Sequence, residues 1–274
     1  MSIKGQQLSI NGINMNVLVE GEGAPVLLLH GYPDSISIWR NVIPNLVAAG
    51  HQVIVPDQRG FGLTDAPEGK ENYTMDKIMA DALAVLDHLG LNKVQLVGHD
   101  FGAIVGWFLA TNHPERFISY TAVSVGHPIA YGTAGLEQKQ KAWYTLFFQF
   151  EGFAEQAAQA DDWALFRMLM ETSSDLEEIL VDMSRPGRLT AGMNWYRANV
   201  FDLLTGAIPA PNATIPVMGI FGQDDVGLVV EQMENTVNFC DAGFRFERID
   251  GGHWLPIDAP QVVSDLIIDF IDPK

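Results

Sequence analysis

Asp100 lies at the centre of the segment Gly98-His99-Asp100-Phe101-Gly102, which follows a short apolar run and precedes a longer one. Glycines two residues before and two residues after a reactive side chain are typical of a sharp strand-to-helix turn, because Cβ atoms have no room there. Such a turn would present the Asp100 carboxylate at the N-terminus of a helix, whose dipole favours an anion. The segment therefore predicts an aspartate nucleophile, although an aspartate before a helix can also be a simple N-cap.

An acid and a histidine follow Asp100 in the order that a catalytic triad requires. The segment 222–225 (Gly-Gln-Asp-Asp) ends a predicted strand and offers Asp224 and Asp225 as candidate acids. His253 follows the last predicted strand. A nucleophile, an acid and a histidine in this chain order are typical of the triad of α/β hydrolases.

A carboxylate nucleophile restricts the chemistry. Attack of Asp100 on an ester carbonyl would give an anhydride, which is a poor intermediate, whereas attack on a saturated carbon gives an ordinary alkyl ester that water can cleave. The expected substrates are therefore epoxides or organohalides. An epoxide oxygen leaves as an alkoxide and needs an acid that stays protonated at neutral pH, and tyrosine, with a reference pKa of about 10, meets this need.

The elements that would position these residues alternate between strands and helices. Continuous apolar runs are typical of parallel strands covered on both faces, and Asn11-Gly12 between the first two runs predicts a hairpin. The segment 76–89 has apolar residues at three- and four-residue spacing, which predicts a helix that Asp76 can cap and Gly90 can end. The predicted strands are 6–10, 15–20, 26–29, 52–56, 94–97, 117–125, 216–221 and 244–249.

Between about residues 127 and 212 the chain contains no strand-like run, and its periodicity is helical. Because the alternation of strands and helices stops there and then resumes, this segment is interpreted as an insertion into one α/β core. We predict an α/β fold whose mostly parallel, eight-stranded sheet is formed by residues 1–126 and 213–274. Residues 127–212 should form a helical lid, here called the cap, over the carboxyl ends of the strands, where open α/β sheets bind ligands.

The composition disfavours several other functions. The 274 residues carry a net charge of −18, which argues against binding to nucleic acid or to a membrane surface. The first residues do not resemble a signal peptide, and Cys240 is the single cysteine, so we expect a cytoplasmic protein. The sequence has no phosphate-binding glycine motif and no metal-ligand spacing, so we expect neither a cofactor nor a metal.

Taken together, these segments resemble the α/β-hydrolase superfamily over the whole predicted core. The cap narrows the resemblance, because 144–149 (Tyr-Thr-Leu-Phe-Phe-Gln) and 194–197 (Asn-Trp-Tyr-Arg) look like the two lid tyrosine motifs of soluble epoxide hydrolases. Residues 30–33 (His-Gly-Tyr-Pro), with Trp39 six residues after the proline, match the HGxP segment of the same family. Aromatic residues at helical spacing, as around Tyr144, are also common in a plain hydrophobic core.

The resemblance implies a role for each of these residues. Tyr144 and Tyr196 would hold the oxirane oxygen, and Asp100 would open the ring. Asp225 would orient the general base, His253. The remaining implied features are an oxyanion hole formed by the backbone N–H groups of Tyr32 and Phe101, and a cis peptide bond before Pro33.

Further expectations concern the acid, the base and one structural carboxylate. Asp225 is favoured over Asp224, because the acid of this family lies three residues after the glycine or alanine that ends its strand. We expect His253 to be neutral in the resting enzyme and to take a proton from water in the second half of the reaction. Asp57 is expected to be structural, since Arg59 and the glycines beside it form a tight turn.

Aromatic side chains near these motifs predict an apolar substrate tunnel between core and cap. The expected partners are a small hydrophobic epoxide and water, and a homodimer is left open. The residues expected to line the tunnel are Trp39, Phe101, Phe147, Phe148, Trp195 and Trp254.

Two alternatives stay open at this point. Fluoroacetate dehalogenases place arginine directly after the nucleophile and again three residues later, where this chain has Phe101 and Ile104. Haloalkane dehalogenases usually have tryptophan after the nucleophile and asparagine after His-Gly, where this chain has Phe101 and Tyr32. The other alternative is a non-catalytic ligand-binding relative, which usually lacks a member of the site, whereas all five side chains are present here.

Overall fold

The computed structural model describes residues 3–205 and 208–272, and within them eight strands form one sheet in the order β1-β2-β4-β3-β5-β6-β7-β8. β2 pairs antiparallel with β1 and β4, and every other neighbouring pair is parallel. The predicted fold class is therefore confirmed. The strands are β1 (Gln6–Ile10), β2 (Ile13–Glu20), β3 (Ala24–Leu29), β4 (His51–Pro56), β5 (Val94–His99), β6 (Phe117–Val123), β7 (Val217–Gly222) and β8 (Phe244–Ile249).

Helices cover both faces of the sheet and form the insertion between β6 and β7. In the described part of residues 127–212 all regular structure is helical, from α4 to α9. The helices are α1 (Ile43–Ala48), α2 (Met75–His88), α3 (Phe101–Asn112), α4 (Pro128–Thr133), α5 (Leu136–Lys141), α6 (Trp143–Phe147), α7 (Phe153–Leu169, with non-helical backbone at 160–163), α8 (Leu176–Met183), α9 (Arg188–Thr205), α10 (Val230–Glu234), α11 (Leu255–Asp258) and α12 (Pro260–Ile271).

Local sequence signals account for most of the element boundaries. Asn11 and Gly12 both have positive φ, 48° and 82°, as the tight hairpin between β1 and β2 requires. Gly90 follows α2 with φ of 69°, which suits the end of a helix. The expected cap of α2 is wrong in detail, because Thr74 is the N-cap residue and Asp76 lies in the first turn. In this turn the Asp76 carboxylate still interacts favourably with the positive end of the helix dipole.

The cap is held to the core by buried hydrogen bonds from α9. The Asn199 side chain accepts from the Met75 N–H and donates to the Tyr73 carbonyl, both at 2.7 Å. Trp195 Nε1 donates to the Arg59 carbonyl at 3.0 Å. These bonds fix the long helix of the cap against the turn that follows β4.

Asp57 joins three segments at the end of β4. Its Oδ1 accepts from the Ile36 N–H, and its Oδ2 accepts from the Leu63 N–H and from Asn16 Nδ2, each at 2.8 Å. The carboxylate therefore ties β2 to the loops that follow β3 and β4, in agreement with the structural role expected for it.

Replacing Asp57 by alanine should destabilise the fold without touching the site chemistry. The change leaves three donors without their acceptor, which should lower the free energy of unfolding by about 3 kcal/mol. Urea unfolding followed by circular dichroism measures the loss, with Asp76→Ala, at an exposed position, as the matched control. Equal stability of the two variants would contradict this role of Asp57.

Candidate active site

A strained turn between β5 and α3 presents Asp100 to the cap. Asp100 has φ 53° and ψ −125°, a conformation that non-glycine residues rarely adopt. A Cβ atom on Gly98 would overlap the Gly102 carbonyl, and one on Gly102 would overlap the carbonyls that end β3. Gly31 packs directly against the Asp100 carboxylate for the same reason. The glycines are therefore required by close approach, as the motif predicts.

His253 bridges two carboxylates. Its Nδ1 lies 2.8 Å from Asp225 Oδ2, and its Nε2 lies 3.3 Å from Asp100 Oδ2. Asp225 is buried and its Oδ1 accepts from the Gly227 and Leu228 N–H groups, at 2.8 and 2.9 Å. Asp224 is exposed, so Asp225, and not Asp224, is the carboxylate that hydrogen-bonds to His253.

The two carboxylates determine the charge of His253. Burial alone would lower its pKa, but the charge of Asp225 and the hydrogen bonds to Asp100 and Asp225 outweigh burial and hold the pKa well above its usual value. For Asp100, burial alone would raise the pKa, but the hydrogen bond and charge of His253 outweigh it and lower the pKa. The expectation of a neutral His253 in the resting state is therefore wrong, because an imidazolium between two carboxylates is favoured there.

Two backbone N–H groups act on the Asp100 carboxylate. The Tyr32 N–H donates to Asp100 Oδ1 at 2.8 Å, and the nearby Phe101 N–H helps to lower the pKa of Asp100. The Tyr32–Pro33 peptide bond is cis, as expected. Both N–H groups predicted to form the oxyanion hole are therefore found beside Asp100.

Tyr144 of α6 and Tyr196 of α9 meet above Asp100. Their ring centroids lie 5.8 Å apart, with an interplanar angle of 79°. Burial, with nearby groups that include Asp100 adding to it, raises the pKa of both phenols well above its usual value. Both side chains therefore stay protonated and can donate at neutral pH.

Two connected cavities share Asp100, Tyr144, Tyr196 and Leu228 in their walls. We call them the large lobe, of about 120 Å³, and the small lobe, of about 60 Å³. The large lobe is also lined by Phe101, Ile104, Val125, Tyr131, Lys139, Ala142, Thr145, Leu146, Val200 and Leu203. The small lobe is also lined by Tyr32, Leu169, Met170, Val226, Gly227, His253 and Trp254.

Most of the expected aromatic lining is placed elsewhere. Phe101 and Trp254 line the lobes, but Trp39 is fully buried in the core and reaches neither of them. Trp195 packs behind Phe101, at 5.0 Å between ring centroids. The lining instead combines aliphatic side chains with four tyrosines, Tyr32, Tyr131, Tyr144 and Tyr196, so the prediction is wrong at Trp39, Trp195, Phe147 and Phe148.

The two phenylalanines after Tyr144 lie outside the lobes. Phe148 is buried behind the tyrosines, 5.6 Å from the ring of Tyr144 and 5.2 Å from that of Tyr196. Phe147 turns to the outer side of the cap, where its ring lies 5.8 Å from that of Trp143.

Two histidines support the site as neutral hydrogen-bonding groups. Burial lowers the pKa of His30 and His99 to about 4. His30 Nε2 accepts from the Gln58 N–H, and His99 Nε2 lies 2.9 Å from the His253 carbonyl. The Ser124 hydroxyl donates to the same carbonyl at 3.2 Å.

Asp34 is a buried carboxyl group near the site that sequence reasoning missed. Burial, reinforced by the negative charge of Asp100 and opposed by His253, raises the pKa of Asp34 to about 8. Its Oδ2 has no hydrogen-bond partner among the described residues. Asp34 also lines an open groove of about 350 Å³ beside α8, away from the phenols. The sequence feature that could have identified Asp34 is its position directly after Pro33, in the loop of the His-Gly-Tyr-Pro motif.

The described residues, 3–205 and 208–272, contain no group of three or more histidine, cysteine or acidic side chains that could hold a metal ion. Among the same residues, no helix has the length and apolar character needed to cross a membrane.

Comparisons with known proteins agree with this geometry. A sequence model of the α/β hydrolase fold matches residues 24–260, and the chain therefore belongs to the α/β-hydrolase family. It is 31% identical to the AB hydrolase superfamily protein YfhM of Bacillus subtilis, with 98% of both chains covered. It is 30% identical to epoxide hydrolase A of Mycobacterium tuberculosis, with 95% of both covered. The crystal structure of epoxide hydrolase A from Mycobacterium thermoresistibile has a TM-score of 0.81 at 28% identity, with 97% of both chains covered.

The stability of Asp34→Asn relative to the wild type should increase as the pH rises. The folded-state pKa of about 8 lies above the ordinary value of 3.8, so between these values the folded chain binds one more proton than the unfolded chain. The stability from this proton is complete below the ordinary pKa and is lost as the pH rises through about 8. Asparagine carries no such proton.

The free energy of unfolding of Asp34→Asn minus that of the wild type should therefore grow between pH 5 and pH 8, by up to about 1.4 kcal/mol per pH unit. Urea unfolding of both proteins at each pH measures the difference, with equal m-values as the check on two-state behaviour. A difference that stays constant over this range would contradict the raised pKa of Asp34.

Proposed function

We propose that this protein is an epoxide hydrolase that opens an apolar epoxide to a vicinal diol through an ester of Asp100. The observation that carries the proposal is the arrangement around one pair of lobes. A charged carboxylate, two protonated phenols and a histidine held by Asp225 all face the same space. The similarity to curated epoxide hydrolases supports the same activity.

In the first half-reaction Asp100 Oδ2 attacks a ring carbon. Oδ2 is the attacking oxygen because Oδ1 is held by the Tyr32 N–H. A C–O bond forms, the ring C–O bond breaks, and its electron pair stays on the oxygen. That oxygen takes a proton from Tyr144 or Tyr196, which leaves a hydroxyl group on the substrate and a tyrosinate on the protein.

Ester formation changes the state of His253. The ester is neutral, so one of the charges that hold the pKa of His253 high is lost, and the pKa falls. The imidazolium can then give its proton back to the tyrosinate, which restores the phenol. Neutral His253 is thereby produced at the step that needs a base, and Asp225 holds its Nδ1–H.

In the second half-reaction His253 takes a proton from water, and the resulting hydroxide attacks the Asp100 carbonyl carbon. The negative charge that develops on Oδ1 lies against the Tyr32 N–H, which already hydrogen-bonds to this oxygen, and the Phe101 N–H lies nearby. Collapse of the tetrahedral intermediate breaks the ester bond and leaves Asp100 as a carboxylic acid. The leaving alkoxide takes the proton from His253, Asp100 then gives its proton to His253, which restores the resting ion pair, and the diol is released.

Two features favour an epoxide over an organohalide as substrate. A halide leaves without needing a proton, so two protonated phenols beside the nucleophile would have no role. A haloacid needs a cation for its carboxylate, but the residues after the nucleophile that line the large lobe, Phe101 and Ile104, are apolar. Lys139, a cation in the same wall, is exposed, and its Nζ donates to the Gly132 carbonyl.

Removal of the general base should trap the covalent ester. We expect His253→Gln to form an adduct with styrene oxide at Asp100 and to hydrolyse it at least about 100-fold more slowly than the wild type. Peptide mass spectrometry locates the adduct, and Asp100→Asn is the control that should form none.

The wild type given styrene oxide and 1-chlorobutane in parallel should release diol but no chloride. Chloride release without diol formation would assign the chain to the dehalogenases. Absence of an adduct at Asp100 both in His253→Gln and in the wild type stopped during turnover would contradict the ester mechanism.

Loss of the phenol groups should slow ring opening in steps. Tyr144→Phe and Tyr196→Phe should each reduce the rate of ester formation about 10- to 100-fold, because one donor remains, and the double variant should show no measurable alkylation. Stopped-flow tryptophan fluorescence of the His253→Gln background follows this step alone. Ring opening at an undiminished rate in the double variant would show that the acid lies elsewhere.

A further inference from the structure

Tyr131 of α4 is a third phenol in the cap that faces the large lobe. It lines this lobe together with Asp100, and its ring packs against the cluster that includes Val125 and Leu228. Tyr144 and Tyr196 line both lobes, whereas Tyr131 lines only the large one. Tyr131 is therefore placed to touch a substituent of the substrate rather than the oxirane at the junction of the lobes.

Among the polar side chains of the large lobe wall, Asp100, Tyr144 and Tyr196 belong to the proposed mechanism. Of the others, Thr145 Oγ1 donates to the Ala142 carbonyl at 2.8 Å and Lys139 Nζ donates to the Gly132 carbonyl at 2.6 Å, whereas the Tyr131 hydroxyl has no hydrogen-bond partner within the described part of the chain. Burial, with the charge of Asp100 adding to it, raises the pKa of Tyr131 to about 12. The phenol is thus protonated at neutral pH and is a donor beside the aliphatic side chains of the large lobe.

An unpaired donor in an apolar lobe discriminates between ligands. A purely hydrocarbon substituent would displace water from the Tyr131 hydroxyl and give it no new partner, which costs binding free energy. A substituent with an oxygen acceptor would replace the lost hydrogen bond. A site that contains such a donor favours the ligand with the matching acceptor.

We propose that Tyr131 is a specificity-determining residue that selects epoxides whose larger substituent carries an ether or carbonyl oxygen. The inference rests on the proposed epoxide hydrolase function. It places the oxygen-bearing substituent in the large lobe and the smaller substituent, or hydrogen, in the small lobe.

The test compares two substrates that differ in one atom group. Butyl glycidyl ether and 1,2-epoxyoctane have chains of the same length, and a methylene group replaces the ether oxygen in the second. The readout is the ratio of kcat/KM for the ether to kcat/KM for the hydrocarbon. In Tyr131→Phe this ratio should fall about 10-fold relative to the wild type, the size expected for one neutral hydrogen bond.

The matched control is Tyr73→Phe, which removes a phenol oxygen outside the lobes, where the hydroxyl donates to the Pro67 carbonyl. This variant should keep the wild-type ratio. An unchanged ratio in Tyr131→Phe would overturn the inference while leaving the proposed function intact. An equal loss of activity on both substrates would also overturn it, since Tyr131 would then act on ring opening or folding. A wild type that hydrolyses neither epoxide would refute the proposed function itself.

Discussion

A buried negative charge at Asp100 is the constraint on which the rest of the site depends. Burial by itself favours the neutral carboxylic acid, which is a poor nucleophile. The imidazolium of His253 and the N–H groups of Tyr32 and Phe101 reverse this preference. The same charge adds to burial in raising the pKa of the surrounding acids, so Asp100 helps to keep the neighbouring phenols protonated. These acids are Tyr32, Asp34, Tyr131, Tyr144 and Tyr196.

Loss of the Asp100 charge on ester formation would explain how His253 can be a cation in the resting protein and a base in the second half-reaction. In the resting protein His253 stabilises the Asp100 anion as a cation, and a cation cannot act as a base. Formation of the ester would remove one of its two carboxylate partners and leave Asp225, which is held by two backbone N–H groups. The base is therefore generated by the first chemical step, so water activation would follow alkylation without any movement of the chain.

The sequence predicts the features that depend on local chain geometry. The glycines around Asp100 and the hairpin at Asn11 reflect steric limits within a few residues, and the structure agrees with both. The preference for Asp225 over Asp224 came from the spacing of the family that the sequence resembles, and the contact of Asp225 with His253 agrees with it. The charge of His253 could not be predicted in the same way, because it depends on carboxylates from two other strand ends. The prediction of the lining residues was wrong for a related reason, because the direction of the Phe147 or Trp195 side chain depends on how each cap helix is rotated against the core. Tyr131 and Asp34 have no repeating pattern around them, so only the folded chain places them beside Asp100.

The division of the site between core and cap explains the buried ion pair beside Tyr196. Asp100 follows a strand of the sheet, and Tyr144 and Tyr196 lie on different cap helices. Because the proposed function needs both phenols beside Asp100, the cap helices must keep a fixed position relative to each other. Arg197 donates to both carboxylate oxygens of Glu155, at 2.7 and 2.9 Å, and through Nε to the Phe148 carbonyl at 2.7 Å. These bonds join α9 to the start of α7 and to the end of α6, which carries Tyr144. Burial alone would raise the pKa of Glu155, but its hydrogen bond with Arg197 outweighs burial and lowers it, so the pair stays ionised. A buried ion pair contributes little net stability, but its bidentate geometry fixes direction, and this pair therefore helps to hold Tyr144 and Tyr196 beside the same lobes.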